Sequence, residues 1–263
     1  MCPAGTPDAL TLDPYSVMSA FYDQWSSHMT EDVPFYVRHA LAADGPIVEI
    51  GVGNGRIAIP VAQAGQRVIG IDVSDAMLIE GARRAAKAGV ADKLTWLNAD
   101  MRTFVADPPV SLVTIPFRAF LHLLTTDDQL KALNAINASL KPGGRLICNF
   151  FTPDPAKVAS LDGQRKLQTT YTDEFGRRAE VYATPTNELA TQRLDVRAEL
   201  EVYDDGRLVA STETTLQLRM IFRYEFEHLL ERSGFEVEAL YGDFDEKPYG
   251  PGPDEMIWIA RKL

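Results

Sequence analysis

The sequence has few cysteines, no long apolar stretch and no dense run of basic residues. Cys2 and Cys148 are its only cysteines, too few for a disulfide scaffold or a thiolate metal cluster. The four histidines are scattered, so we expect no metal site. No apolar run approaches the ~20 residues that span a membrane, and the first residues lack the basic and apolar segments of a secretory signal. We therefore expect a cytoplasmic protein that makes no membrane contact.

The charge balance argues against a nucleic acid partner. The 263 residues include 37 acidic and 26 basic side chains, which gives a formal net charge of -11. A surface of this sign repels the phosphate backbone of DNA and RNA. The hydrophobic fraction of 46% is enough to form a sizeable core in one large domain.

Short apolar strands alternate with helical segments between residues 46 and 151, and each unit is separated by glycine or a polar turn. This alternation predicts an α/β fold with a parallel sheet covered by helices on both faces. We expect four regions along the chain. They are a tail and helical cap (1–45), a cofactor-binding α/β core (46–164), an antiparallel β segment (165–222), and a C-terminal helix with the last two core strands (223–263).

Residues 165–222 show a different pattern, with period two. From Leu194 to Val202, apolar side chains alternate with charged ones, and Asp205–Gly206 is typical of a hairpin turn. The pattern predicts an antiparallel sheet appended to the core. Such a sheet would cover the active site as a lid, or form a homo-oligomer interface with a second copy. The sequence allows both roles.

A glycine-rich turn follows the first predicted strand. Gly51, Gly53 and Gly55 let the backbone bend sharply and let a ligand approach it closely. A dinucleotide-binding loop has the spacing G-x-G-x-x-G, and Arg56 stands where its third glycine is needed. The turn therefore argues against a nicotinamide dehydrogenase.

Two acidic residues follow the next two strands. Asp72 ends the second strand, where an acid can accept both hydroxyls of a ribose, and Asp100 follows the third. Either residue alone is compatible with a helix cap or a loop. Together with the glycine turn they place three ligand-binding features at the carboxyl ends of successive strands, where open α/β sheets bind ligands.

Five segments in this order resemble the motifs of class I S-adenosylmethionine-dependent methyltransferases. They are EIGVGNGR (49–56), IDVSDAML (71–78), NADMRTF (98–104), PFRAFLHL (116–123) and LKPGGRLICNFF (140–151). The spacing from Phe117 through His122 to Leu123 is similar to that in small-molecule N-methyltransferases acting on amino sugars and antibiotics. The resemblance implies a Rossmann-like sheet with S-adenosyl-L-methionine as cofactor.

The resemblance also implies roles for individual residues. The Gly51–Gly53 backbone, with Asn54, should hold the methionine end of the cofactor, and Asp72 should accept from the ribose hydroxyls. Val73 and Met77 should flank the adenine, Asp100 should accept from its amine, and the Met101 N–H should contact the ring. Phe117 should lie near the sulfonium.

The candidate catalytic residues rest on weaker signals. His122 is a candidate base, because imidazole titrates near neutral pH, although it is also compatible with a packing role. Tyr15, Tyr22 and Trp25 recur at helical spacing, either as core residues or as an aromatic cover for the cofactor.

Two arginines have open roles as well. Arg38, together with Tyr36, is a candidate for the carboxylate of the cofactor. Arg118 would orient an acidic substrate or form a salt bridge outside the site.

We expect N-methylation of a small amine in antibiotic biosynthesis. O-methylation of a small molecule is the alternative reaction, because it needs the same cofactor site. A non-catalytic cofactor-binding protein is the alternative of another class.

Overall fold

The computed structural model of the protein describes residues 14–19, 21, 22, 24 and 30–263. The helices in these ranges are α1 (Pro14–Met18), α2 (Asp32–Leu41), α3 (Ala58–Gln63), α4 (Asp75–Lys87), α5 (Thr126–Ser139), α6 (Pro155–Ala159) and α7 (Arg223–Arg232). The strands are β1 (Ile47–Ile50), β2 (Val68–Asp72), β3 (Leu94–Asn98), β4 (Val110–Ile115), β5 (Leu140–Phe151), β6 (Lys166–Thr172), β7 (Arg178–Glu188), β8 (Arg193–Asp204), β9 (Arg207–Arg219), β10 (Phe235–Tyr241) and β11 (Glu255–Lys262).

Seven strands form one sheet in the order β10-β11-β5-β4-β1-β2-β3. Strands β1 to β5 pair in parallel, whereas β11 runs antiparallel to both β5 and β10. The strand order reverses between β1 and β4, so their carboxyl ends flank the crevice where sheets of this kind bind ligands. The predicted Rossmann-like α/β sheet is confirmed.

Helices cover both faces of this sheet. Neighbouring strand residues such as Ile47 and Val48 enter separate apolar clusters, because successive side chains of a strand point to opposite faces. The cluster on one face includes side chains of α5 and α7, and the other includes side chains of α2, α3 and α4. The central strands β1 and β4 are buried on both sides, as their continuous apolar sequences predict.

The other four strands form an antiparallel sheet in the order β6-β7-β8-β9, as the alternating pattern of residues 165–222 predicts. Alternate residues of β7, β8 and β9 form an apolar face, and Met18 and Phe21 of the N-terminal segment pack on it. Helix α1 also contacts β9 and α4. The N-terminal segment therefore joins the antiparallel sheet to the core. The buried strand residues on this face are Ala179, Val181, Ala198, Leu200, Val202 and Leu216.

The pairing of β4 with β5 is irregular at Lys141–Gly144, because Val110 pairs with Leu140 and Leu112 pairs with Arg145. Ser74 directly precedes α4, but its hydroxyl makes no capping hydrogen bond to this helix. Instead, the Ser74 N–H donates to Asp72 at 2.9 Å.

No helix in the described ranges combines the length and apolarity needed to cross a bilayer. The same part of the chain brings together no group of three or more His, Cys, Asp and Glu side chains suited to a metal ion.

Candidate cofactor and active site

The loop after β1 requires glycine at two positions that face a cavity. Gly51 and Gly53 have φ values of +66° and +54°, in the left-handed region that glycine adopts without steric cost. A Cβ on Gly51 would lie 2.5 Å from the Ala119 Cβ, and one on Gly53 would lie 3.2 Å from the Met77 Cε. Side chains at these positions would meet Ala119 and Met77, so glycine lets the loop pack against both residues and puts backbone at the cavity wall.

Asp72 ties this loop to the start of the next helix. Its Oδ2 accepts from the Gly53 N–H at 2.8 Å, and its Oδ1 accepts from the Ser74 N–H at 2.9 Å. A carboxylate accepts at about four positions, so these two bonds do not exhaust its capacity. Asp72 is therefore both a structural clamp on the glycine loop and an acceptor at the cavity wall.

Asp100 forms an ion pair that the sequence did not reveal. The guanidinium of Arg102 donates to both of its oxygens, from Nε to Oδ1 at 3.0 Å and from Nη2 to Oδ2 at 2.5 Å. These hydrogen bonds lower the pKa of Asp100 below its usual value. Arg102 also lies 3.3 Å from Asp128. A ligand amine at Asp100 would meet a carboxylate that is charged and already oriented.

The glycine loop, Asp72 and Asp100 line one cavity of about 300 Å³, at the lower end of the range for ligand pockets. Its wall also includes Val73, which is exposed, and Met77, which is buried. The N-terminal segment and β9 contribute the other side. The structure thus brings together these sequence-predicted residues: Tyr15, Tyr22, Gly51, Gly53, Asp72, Val73, Met77, Asp100, Met101, Phe117 and His122.

His122 lies at the end of a 3-10 turn, Ala119–His122, that follows β4. Its Nδ1 lies 3.0 Å from the backbone oxygen of Gln217, and its Nε2 lies 2.8 Å from the hydroxyl of Tyr15. A carbonyl oxygen only accepts, so Nδ1 carries the hydrogen. In the neutral ring, Nε2 is then the basic atom and accepts from Tyr15. The basic nitrogen therefore points toward the N-terminal segment at the cavity.

Phe117 begins a strained turn directly after β4. Phe117 and Arg118 have φ values of +55° and +69°, which are uncommon for residues with side chains. The Phe117 ring contacts Tyr22 edge-on, with ring centroids 6.4 Å apart. Phe117 also lines a second cavity of about 820 Å³, which reaches β11. Its ring therefore stands between the two cavities.

Asn54 and Arg56 surround a smaller pocket beside the glycine loop. Asn54 is buried, and Arg56 donates to both oxygens of Asp32, at 2.7 Å and 2.5 Å. The Arg56 guanidinium lies 4.7 Å from the centre of the Phe117 ring. Burial raises the pKa of Glu49, which lines the same pocket, to about 8. The Arg56–Asp32 pair thus supports the glycine loop and Phe117 together.

Arg38 lies away from these cavities, which corrects its predicted role at the cofactor carboxylate. Its guanidinium donates to Glu246 at 2.6 Å, and its side chain is 54% exposed. Tyr36 is fully buried, and its hydroxyl donates to Asn149. Arg118 pairs with Glu255, which agrees with the structural alternative for that residue. Trp25, which with Tyr15 and Tyr22 completes the predicted set of aromatic residues at helical spacing, lies outside the described residues.

The chain is similar to known methyltransferases in both sequence and structure. Residues 47–144 match the family described as "Methyltransferase domain". A glycine/sarcosine N-methyltransferase of Aphanothece halophytica is 25% identical over 248 residues, covering 90% of this chain and 84% of the relative. The CcbJ methyltransferase of Streptomyces caelestis has a similar structure, with a TM-score of 0.80, 20% identity, and coverage of 95% of this chain and 98% of that one.

A third similar protein is described with its cofactor bound. CalS10, an amino pentose methyltransferase of Micromonospora echinaspora involved in calicheamicin biosynthesis, was solved with S-adenosylmethionine. It has a TM-score of 0.68 and 20% identity, with coverage of 98% of this chain and 100% of that one.

The cavity of this protein suits the same cofactor. The backbone of Gly51 and Gly53 lines one part of the cavity, and the carboxylates of Asp72 and Asp100 offer acceptors along the wall. Val73 and Met77 supply apolar surface between them. The matching domain, the sheet with its switch point and this wall together make the chain an S-adenosyl-L-methionine-dependent methyltransferase.

Proposed function

We propose that this enzyme methylates the nitrogen of a small amine, as a step in the biosynthesis of a natural product such as an antibiotic. The observation that carries the proposal is the basic Nε2 of His122, held at the cavity by the carbonyl of Gln217 and the hydroxyl of Tyr15. An alkyl amine is mostly protonated at neutral pH, with a pKa near about 10.4. It must lose that proton before its lone pair can react, so a nearby base serves this reaction directly.

We expect the cofactor to bind at the carboxyl ends of β1 to β4. The backbone at Gly51 and Gly53, next to Asn54, would hold the methionine end, and Asp72 would accept from the ribose hydroxyls. Val73 and Met77 would flank the adenine, Asp100 would accept from its amine, and the Met101 N–H would contact its ring. All of these residues line the main cavity or the smaller pocket beside the glycine loop.

Bound S-adenosyl-L-methionine supplies an electrophilic methyl group on a sulfonium. Phe117 and Tyr22 border the place where that group would lie, and aromatic faces favour a cation. His122 takes the proton of the substrate ammonium at Nε2, directly or through the hydroxyl of Tyr15. The neutral amine would then accept the methyl group, with S-adenosylhomocysteine as the other product. Alignment of the reacting atoms in such a site is worth roughly 7–11 kcal/mol.

The similar proteins support nitrogen as the accepting atom. One is named a glycine/sarcosine N-methyltransferase, and another an amino pentose methyltransferase of an antibiotic pathway. O-methylation of a small hydroxyl or carboxylic acid is the second candidate, because the cofactor wall serves it equally. A non-catalytic cofactor-binding protein would keep that wall and show no turnover.

The test is a screen of matched amines and alcohols, with S-adenosylhomocysteine release as the readout. We expect turnover with amines, and a fall of about 100-fold or more in kcat for His122→Ala with little change in S-adenosylhomocysteine affinity. Tyr15→Phe keeps the ring and removes the hydroxyl, so it is the matched variant for the proton route. Turnover of alcohols alone would refute the proposal in favour of O-methylation. Full activity of His122→Ala at neutral pH would show that His122 is not the base.

A further inference from the structure

The turn that carries Phe117 must be held in place by other groups. Two consecutive residues with side chains, Phe117 and Arg118, have left-handed backbone conformations. Each such residue is energetically unfavourable and persists only where its surroundings determine it. Neither residue is a glycine or an asparagine, which tolerate this region best. The contacts around the turn should therefore show what holds it.

The side chain of Asn149 on β5 makes the bond that holds Phe117. Its Oδ1 accepts from the Phe117 N–H at 2.9 Å and from the Tyr36 hydroxyl at 2.9 Å. Its Nδ2 donates to Glu255 at 2.9 Å. A backbone N–H only donates and a carboxylate only accepts, so both ends of the amide are assigned by their partners.

The surroundings give this amide a single orientation. Asn149 is 3% exposed and Tyr36 is 0% exposed, so neither can exchange its partner for bulk water at low cost. Burial raises the pKa of Tyr36 well above its usual value, which keeps its hydroxyl as a donor. Tyr36 therefore fixes the Asn149 oxygen toward Phe117 rather than competing for the N–H.

Arg118, the second residue of the turn, is held by the carboxylate that also accepts from Asn149. Glu255, the first residue of β11, accepts from Arg118 with one oxygen and from Asn149 with the other. The guanidinium of Arg118 also lies 5.5 Å from the centre of the Phe151 ring. Residues of β5 and β11 thus determine both left-handed positions after β4.

We propose that Asn149 is a positioning residue, which sets the place of Phe117 and through it the enzyme's preference for the cationic cofactor over its neutral product. The proposal rests on the proposed function, because it takes Phe117 to border the sulfonium. Asn149 is part of the wall of the second cavity and not of the wall that includes Asp72 and Asp100. Its loss should therefore leave recognition of the nucleoside part intact.

The test compares two ligands on folded protein. We would measure the affinities for S-adenosylmethionine and S-adenosylhomocysteine by calorimetry in wild type, Asn149→Leu and the double variant Asn149→Asp/Glu255→Gln. Leucine has a similar size and no acceptor, so we expect the ratio of the two affinities to shift by about threefold or more against the cation. Aspartate keeps an acceptor for the Phe117 N–H, and the amide of Glu255→Gln can donate to its other oxygen, so the double variant should restore most of the ratio. A general loss of structure would weaken both ligands alike.

Two further variants separate the possible results. Tyr36→Phe removes the other bond to the Asn149 oxygen but leaves the amide held by Glu255, so it should shift the ratio less than Asn149→Leu does. On a Phe117→Leu background, Asn149→Leu should add no further shift, because the two residues act as one unit. Should Asn149→Leu not fold, Asn149→Ser replaces it, since serine is too short to reach the N–H.

The results distinguish this inference from the proposed function. If wild type binds both ligands and a folded Asn149 variant without the acceptor keeps their affinity ratio, this inference is refuted and the proposed function stands. If wild type binds neither ligand, both are refuted.

Discussion

Replacing Asp72 with asparagine tests the dual role of this side chain. The Asp72 carboxylate accepts from the Gly53 N–H with one oxygen and from the Ser74 N–H with the other. An amide of the same shape keeps one oxygen and places an NH2 group against the other N–H. One of the two bonds must therefore be lost, whichever way the amide turns.

The expected losses follow from these contacts. A hydrogen bond to a charged group contributes about 1.5–3 kcal/mol. For a chain of this size, each kcal/mol lowers Tm by about 2–4 °C, so we expect a fall of roughly 3–12 °C. The same change weakens the acceptor for the ribose hydroxyls and loosens the glycine loop. We expect S-adenosylhomocysteine to bind at least about tenfold more weakly, which corresponds to about 1.4 kcal/mol.

The assay is calorimetric titration with S-adenosylhomocysteine, together with thermal unfolding of the ligand-free protein. Asp75→Asn is the matched control, because Asp75 is exposed, lies three residues away and accepts from Asn98. It should change ligand affinity little. A lower Tm with unchanged affinity would show that Asp72 supports the loop but does not contact the cofactor. No change in either quantity would refute both roles of Asp72.

The remaining predictions concern the glycine loop, a buried acid and the antiparallel sheet. Gly51→Ala should abolish detectable cofactor binding, because its Cβ would lie 2.5 Å from that of Ala119 at a φ of +66°; calorimetry showing wild-type affinity would contradict this. Burial raises the pKa of Glu49 from 4.5 to about 8, so the folded chain keeps a proton that the unfolded chain releases. The free energy of unfolding should then fall as pH rises between these values, by up to about 1.4 kcal/mol per pH unit, and Glu49→Gln should flatten this slope in denaturant titrations at pH 5 and pH 8. Strand β9 is an edge of its sheet among the described strands and exposes Leu208 and Val209. If it pairs with a second copy, Val209→Lys should lower the mass measured by light scattering, whereas a monomeric wild type would exclude the oligomer.

The sequence predicted best what depends on single strands and their ends. Gly51, Asp72 and Asp100 follow three successive parallel strands, and parallel strands place their carboxyl ends at one edge of a sheet. Phe117 and His122 follow β4 in the same way. The order of the parallel strands therefore explains why these residues line one cavity.

What the sequence did not predict depends on contacts between distant elements. Asn149 and Glu255 are 106 positions apart, and they meet because β11 inserts antiparallel beside β5. Arg38 looked like a ligand for a carboxylate, but Glu246 takes its guanidinium. No local pattern distinguishes an arginine that meets a ligand from one that meets a loop 208 residues away.

The most direct test of the central claim is titration of the purified protein with S-adenosylhomocysteine and, in parallel, with a nicotinamide dinucleotide. We predict micromolar or tighter binding of S-adenosylhomocysteine and none of the dinucleotide, because Arg56 stands where a dinucleotide loop needs glycine. Binding of the dinucleotide without S-adenosylhomocysteine would contradict the account of the glycine loop and of the cavity it borders.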